Sequence, residues 1–309
     1  MKNVLILGAT GFIGRHLAEK LQEDTNVLGY ARNPISAEYP IIKGSFSEEE
    51  HFEDILRGKK IDTVYHLVST TFPKEDTSDI AQEVASNVIP TLRLVEAMRK
   101  TGVRRLVFVS SGGTVYGEWQ GGSHQTSEER RPICGYGMQK MVIEDYLLFY
   151  NRRYGMDCRI ARLSNPYGIP PKHPRGQGII PIFMEKLMQE EPITMFGDTL
   201  RDYIHVEDAV EAIVRYGCYE GNEKILNIGT GVPARISDIV RLIEKEAGKK
   251  FVSVSHEPIR SCDVQESVLD VTETMQELDW KPQISLEEGI RRTWMELQRR
   301  GDKSKSVGL

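Results

Sequence analysis

Val4-Leu5-Ile6-Leu7-Gly8-Ala9-Thr10-Gly11-Phe12-Ile13-Gly14 opens the chain with an apolar run that turns through three glycines. Apolar residues then recur at Phe12, Ile13, Leu17 and Leu21, the three- and four-residue spacing of a helix packed on one side. The stretch therefore reads as a buried strand, a tight turn and a helix. In such a turn Gly8 permits the bend, Gly11 lets the backbone approach a pyrophosphate, and Gly14 lets helix pack on strand. The free N–H groups of the first helical turn, at Phe12 and Ile13, would face the phosphates with the positive end of the helix dipole behind them. The expected ligand class is a dinucleotide.

The chain has 309 residues, enough for one large domain or two unequal ones. Its net charge of −5 argues against nucleic acid or an anionic membrane as main partner, since both select basic surfaces. Cys134, Cys158, Cys218 and Cys262 are scattered without a C-x-x-C pair and read as reduced and mostly buried, with no metal site. No apolar stretch approaches the length of a membrane span, and glycines with Arg15 and Glu19 break the N-terminal run. A cytoplasmic protein is expected.

Apolar runs at 3–7, 26–30, 61–68, 104–111 and 157–163 alternate with periodic segments at about 12–22, 80–100 and 136–152. That alternation predicts an α/β fold, a Rossmann-type doubly wound parallel sheet. After Asn165 the texture changes to a proline- and glycine-rich loop, then a helix over Ile182–Glu190 and strands at Ile193–Phe196 and Ile225–Ile228. The expected division is a dinucleotide domain at 1–166 plus about 206–232, and a smaller C-terminal lobe at 167–205 and 233–309. Residues 302–309 read as frayed. Leu94, Val95 and Met98, with Met141, Leu147, Leu148 and Tyr150, put apolar residues on more than one face of their helices, which suggests a homodimer joined through them.

Tyr136 and Lys140 share a helix face at i and i+4. A tyrosine is a poor base at its ordinary pKa of about 10, and a lysine cation one turn away, with a positively charged nicotinamide, favours the phenolate. Such a phenolate can take a hydroxyl proton while a hydride leaves the same carbon. The spacing alone is unspecific, because Tyr39 and Lys43 repeat it in a strand-like stretch where i and i+4 lie far apart. Tyr136 differs in following Val109-Ser110-Ser111-Gly112-Gly113-Thr114-Val115-Tyr116-Gly117.

That ordered set resembles the extended short-chain dehydrogenase/reductase family, in its NAD-dependent epimerase/dehydratase branch and most closely the UDP-glucose 4-epimerase type. Further markers run through Asn87-Val88-Ile89-Pro90, Leu163-Ser164-Asn165-Pro166-Tyr167-Gly168, Arg201-Asp202-Tyr203-Ile204-His205 and Arg260-Ser261-Cys262-Asp263. The resemblance covers nearly the whole chain. It implies Tyr136 as catalytic base, with Lys140 as its partner on the nicotinamide ribose. It places Leu67, Val68 and Ser69 under the cofactor and adds Ser45, Asn87 and Ser110 to the cofactor contacts. Asn165, Thr71, Gln177 and Phe196 fall on the substrate side. Arg201 and Arg260 resemble the arginines that clamp a nucleotide diphosphate, and Asp263 the carboxylate on its ribose. Ser267 falls beside the sugar's 2-substituent, where a small residue leaves room for an acetamido group.

Three departures matter. The family's Ser or Thr three residues before the valine of Val-Tyr-Gly is Gly112 here. Strand alternation points Ser111 the other way, so Thr114, sharing the face of Gly112 in an extended chain, is the favoured replacement. The acid expected at the end of the second strand is absent, and Arg32 suits a 2′-phosphate, which favours NADP over NAD. Ser45 replaces the acid that reaches the adenine. Gly113 and Thr114 stand where dehydratases of the family carry Asp-Glu, and decarboxylases their Glu. This leaves a nucleotide-diphosphate-sugar C4 epimerase acting on UDP-hexoses or UDP-N-acetylhexosamines. The alternatives are an NADPH-dependent 4-keto-sugar reductase and, more remotely, a non-catalytic NADP-binding redox sensor.

Overall fold

A computed structural model describes residues 1–73, 80–118, 121–169 and 178–306, with side chains through residue 300. The first half alternates as the apolar pattern dictates: β1 (Lys2–Leu7), α1 (Phe12–Leu21), β2 (Thr25–Ala31), β3 (Ile41–Lys43), α2 (Phe52–Leu56) and β4 (Thr63–His66). Then come α3 (Ile80–Glu83), α4 (Ile89–Thr101), β5 (Arg105–Ser111), α5 (Gly135–Tyr154) and β6 (Asp157–Leu163). The later part holds β7 (Asn165–Tyr167), α6 (Ile179–Gln189), β8 (Ile193–Phe196), β9 (Leu200–His205), α7 (Val206–Cys218) and β10 (Ile225–Ile228). It ends with β11 (Pro233–Arg235), α8 (Ile236–Ala247), β12 (Val254–Glu257), β13 (Glu266–Ser267), α9 (Thr272–Glu277) and α10 (Leu286–Ser306).

Seven strands form one parallel sheet in the order β10-β6-β5-β4-β1-β2-β3. The chain winds outward in one direction from β1 and in the other from β4, so the carboxyl ends of β1 and β4 flank the switch point where such sheets bind ligands. Alternation along β1 explains the two layers. Val4 and Ile6 pack with α1 and α7 on one face, while Leu5 and Leu7 pack with α2, α4 and α5 on the other. All four side chains are buried, each stabilising by about 1.5–3 kcal/mol.

The helix expected over 80–100 is interrupted by a π-helical turn at Val84–Val88. Pro90 lies in the first turn of α4 and has no N–H to continue the ladder, so the register slips there. Glu83 and Asn87, four residues apart, both face inward, 6% and 4% exposed. Leu94, Val95, Met98, Leu147 and Tyr150 belong to the chain's own core and are not available for a partner, while Met141 and Leu148 are half-buried. The apolar residues exposed on these helices are Ile80, Val84, Met138, Tyr146, Phe149 and Tyr154.

A separate core built on Tyr167, Phe183, Met195, Tyr203, Ile239 and Trp294 lies under α6, α8 and α10. The expectation that everything after 233 belongs to this lobe fails for part of the chain. Leu278 and Trp280 pack in the core of the main sheet, and Thr274 donates to the Asn227 carbonyl at 2.6 Å. The chain end expected to fray is helical through Ser306, and residues 307–309 lie outside the described part. Three of the four cysteines are buried, Cys218 is exposed, and none is paired.

Gly8 has φ +87°, and a Cβ at Gly14 would stand 2.1 Å from the Gly8 carbonyl oxygen. Gly14→Ala is expected to push α1 off β1 at a cost of about 1–3 kcal/mol or more, lowering the melting temperature measured by circular dichroism. An unchanged melting temperature would mean that the turn relaxes freely.

Candidate active site

The cleft at the switch point runs from the glycine turn to the second lobe and encloses about 1700 Å³. At its first end, the N–H groups of Gly8 and Ala9 both donate to the Tyr30 carbonyl, at 2.9 and 3.3 Å, and tie the turn to β2. Gly8, Gly11, Phe12, Ile13 and Gly14 line the cleft there. First-turn N–H groups of a helix lack intrahelical acceptors, so this wall offers donors to an anion. Arg32 and Ser45 line the same end, and Leu67, Val68 and Ser69 the turn after β4.

Cys134 caps α5 by accepting from the Gly137 N–H, which sets Tyr136 and Lys140 one turn apart on the cleft wall. The Lys140 ammonium donates to the Val109 carbonyl at 2.9 Å and lies 4.6 Å over the Phe108 ring and 5.7 Å from the Tyr136 ring centre. Burial lowers Lys140 to about 8, with Glu144 opposing the shift. Burial likewise raises Tyr136 to about 12, against a hydrogen bond with the Ser111 side chain that favours the phenolate. His66, buried beside this pair, is held neutral near 3 by burial and by the Lys140 charge.

The Ser111 contact corrects the alternation argument. β5 ends at Ser111 and the chain curls at once, with the Thr114 and Val115 N–H groups both donating to the Ser111 carbonyl. Facing rules for an extended chain no longer hold there, and Ser111 meets Tyr136. Ser111, Gly113 and Thr114 line the cleft, whereas Gly112 is turned into the protein. A Cβ at Gly112 would meet Leu269 carbons at 2.6 and 2.9 Å. Thr114 carries a buried hydroxyl with no hydrogen-bond partner among the described residues.

Other expected residues sort differently. Asn87 does not line the cleft: its amide accepts from the Thr70 N–H at 2.8 Å and donates to the Thr70 hydroxyl at 2.7 Å, holding the loop from behind. Ser110 lines the cleft, but its hydroxyl is committed to the buried Glu144 carboxylate. Ser267 is 3% exposed, donates to the Gly112 carbonyl at 3.4 Å and lies outside the cleft lining. Gln177 lies outside the described residues.

Thr71, Asn165, Phe196, Arg201, Arg260 and Asp263 do come together at the far end. Thr71 is held by the Gln139 amide at 2.7 Å, and Asn165 donates to the Asp202 carbonyl at 3.0 Å. Arg201 is spread over the Leu200, Gln265 and Val264 carbonyls, and burial lowers its pKa. Arg260 donates to Asp263 at 2.7 Å and lies 5.8 Å over the Phe196 ring. Two cations that sequence reasoning passed over, Arg15 and Lys186, also line the cleft, and only the folded wall marks them.

The charge balance of this wall is one-sided. It carries Arg15, Arg32, Lys140, Lys186, Arg201 and Arg260, and Asp263 is the only carboxylate among the described lining residues. A protein of net charge −5 thus concentrates cations in its cleft, the field required by a ligand rich in phosphates. No helix among the described residues is long and apolar enough to cross a membrane.

Known proteins share this arrangement. The chain is 32% identical over 301 residues to a dTDP-4-dehydro-6-deoxyglucose reductase of Escherichia coli, covering 93% of this chain and 95% of that one. It is 34% identical over 306 residues to a UDP-glucose 4-epimerase of Mycolicibacterium smegmatis, covering 94% and 96%. The crystal structure of a UDP-glucose 4-epimerase from Thermotoga maritima with UDP-glucose superimposes with a TM-score of 0.90 at 30% identity, covering 96% and 99%. The model of the NAD dependent epimerase/dehydratase family matches residues 4–229, and the chain belongs to that family, as an enzyme of the extended short-chain dehydrogenase/reductase type.

Proposed function

We propose that the protein is a nucleotide-diphosphate-sugar C4 epimerase with Tyr136 as its base. One observation carries this reading: Tyr136, Lys140 and Ser111 meet in the cleft that holds the glycine turn at one end and Arg201 with Arg260 at the other. The glycine turn fits a dinucleotide, because Gly8, Gly11 and Gly14 line the cleft with backbone alone, beside the first-turn N–H groups of α1. When bound, the nicotinamide supplies the two-electron acceptor and a ring cation beside Tyr136 and Lys140. The protein's own groups handle the proton. Lys140, cationic at neutral pH, lowers the cost of a phenolate at Tyr136, and the Ser111 hydroxyl bridges the sugar hydroxyl to that oxygen. Arg201 and Arg260 anchor the diphosphate, Arg260 exchanging Asp263 for the dianion, so the sugar can turn while its nucleotide stays fixed.

The main sheet with α7 and β10 forms the dinucleotide domain in this reading, and the core under α6, α8 and α10 the sugar lobe. The finer identity of the dinucleotide is read as NADP, since Arg32 follows β2 where NAD sites carry an acid. That observation also supports the second reading, a 4-keto-sugar reductase that consumes NADPH. Purified protein with UDP-glucose, UDP-galactose or their N-acetylated forms, followed by NMR, separates the two. An epimer formed without net loss of NADPH supports the epimerase. Stoichiometric loss of NADPH against the matching 4-keto sugar replaces it with the reductase.

Tyr136→Phe is expected to cut turnover by at least about a hundredfold while cofactor affinity stays within about threefold, because only the ionisable oxygen is lost. Ser111→Ala is expected to cost more turnover than Thr114→Val; the reverse order would return the bridging role to Thr114.

The exposed apolar residues of α3, the π-turn after it and α5 support a homodimer. Met138, Tyr146 and Phe149 are 49%, 44% and 44% exposed and follow one face of α5, with Ile80 and Val84 beside them. Light scattering at micromolar concentration is expected to give a dimer, and Phe149→Glu a monomer. A monomeric parent protein would refute this pairing.

A further inference from the structure

We infer that Gln139 is a positioning residue: it fixes the polarity of the Thr71 hydroxyl, which then donates to a hydroxyl oxygen of the bound sugar. The inference rests on the sugar-nucleotide reading above and gives a role to the residue just before Lys140. Gln139 is 4% exposed and lies three residues after Tyr136 on α5. Its amide nitrogen donates to the Thr71 hydroxyl oxygen at 2.7 Å and to the Glu83 carboxylate at 3.3 Å. Its amide oxygen is buried with no hydrogen-bond partner among the described residues. A buried acceptor left unpaired is unfavourable, so the amide would turn over if its surroundings allowed it. Glu83 does not allow it. The turned amide would set its oxygen against a carboxylate oxygen and bury an unpaired NH2 group instead.

The consequence falls on Thr71. An amide nitrogen can only donate, so the Thr71 oxygen is the acceptor and its own hydrogen points elsewhere. Among the described residues that hydroxyl donates to nothing. The loop that carries it is held in place: Asn87 accepts from the Thr70 N–H at 2.8 Å, and the Ser69 hydroxyl donates to the Thr71 carbonyl at 2.8 Å. Thr71 lines the cleft together with Tyr136 and Ser111. The wall thus presents a preset donor, which needs no reorganisation when an accepting oxygen arrives. Because Gln139 rides on the helix of Tyr136, this second sugar contact is held in register with the base. A site built to bond a hydroxyl rejects the analogue that lacks it, so the donor selects sugars that keep an oxygen at this place.

The test is calorimetric titration of the full-length protein with UDP-glucose, its 2-, 3- and 6-deoxy analogues, and UDP as the sugar-free control. Gln139→Met, which keeps the volume and removes the N–H, and Thr71→Val are each expected to weaken UDP-glucose by about three- to tenfold and UDP by less than about twofold. The double variant is expected to lose no more than Thr71→Val alone, because Gln139 acts through Thr71. Thr71→Ser, which keeps the donor, should stay within about twofold of the parent protein. One deoxy analogue should bind the parent and Thr71→Val equally, and that analogue identifies the accepting oxygen. Additive losses, equal losses for UDP and UDP-glucose, or the lack of any analogue that cancels the effect each overturn the inference. Should Gln139→Met melt below the assay temperature, Glu83→Gln takes its place: a neutral partner lets the amide turn over, and the same selective loss is expected. Unchanged UDP-glucose affinity in the folded variant overturns the inference as well. Selective losses in a protein that forms no epimer would uphold this role and refute the proposed reaction. An epimerase indifferent to Thr71→Val and Gln139→Met would do the reverse, and a protein that binds no UDP-sugar refutes both.

Discussion

The contact on which the molecule depends is the approach of α1 to the carbonyl of Gly8. Gly14 lets the helix backbone close to a distance no side chain tolerates, and Gly8 itself, at φ +87°, lies against the Leu67 backbone at the end of β4. Two loops that leave the sheet in opposite directions are thereby packed together at the switch point. The first turn of α1 then points its unpaired N–H groups into the opening. Every other feature of the cleft is built outward from that corner.

A second constraint keeps the catalytic helix in register with β5. Glu144, two turns past Tyr136, is fully buried and bonded to Arg162 at 2.8 Å, Arg130 at 3.2 Å and the Ser110 hydroxyl. Arg162 continues to the Tyr116 hydroxyl at 2.9 Å, and Tyr116 to Asn227 at 2.7 Å. Buried ion pairs contribute little net stability, but removing one partner leaves an uncompensated charge at a cost of about 3–5 kcal/mol. The network therefore selects one alignment of α5 on the sheet, the one that puts Lys140 on the Val109 carbonyl and Tyr136 within reach of Ser111. Tyr116, the tyrosine of the Val109–Gly117 segment, and Asn227 act in this framework.

The cleft also explains why an acidic protein suits a ligand of many phosphates. Its cations are spaced along the wall, with Arg15 and Arg32 at one end, Lys140 in the middle, and Lys186, Arg201 and Arg260 at the other. Low-dielectric walls focus such a field, so the net charge of the whole chain says little about the site. Burial works on the same groups in the opposite sense, lowering Lys140 and raising Tyr136, so each charged form depends on its neighbours.

The glycine turn, the parallel strands and the Tyr136–Lys140 pair were legible in the sequence, because each depends on residues close along the chain: a turn, an apolar period, one helical step. The sequence also marked Arg32, Arg201, Arg260 and Asp263, whose neighbours form recognisable motifs. What it misjudged depended on where the chain bends or what packs across it. Ser111 faces Tyr136 because β5 stops there, and Ser267 and Gly112 turn inward because Leu269 and the β13 segment fill that side. Asn87 holds a loop because folding brings its amide onto Thr70, and Leu94 or Tyr150 are core residues because the sheet covers them. Arg15 joins the cleft only when α1 is laid against β1. Local patterns determine elements and their chemistry; which side chains share a cavity is decided by the packing of segments far apart in sequence, and that exists only in the folded molecule.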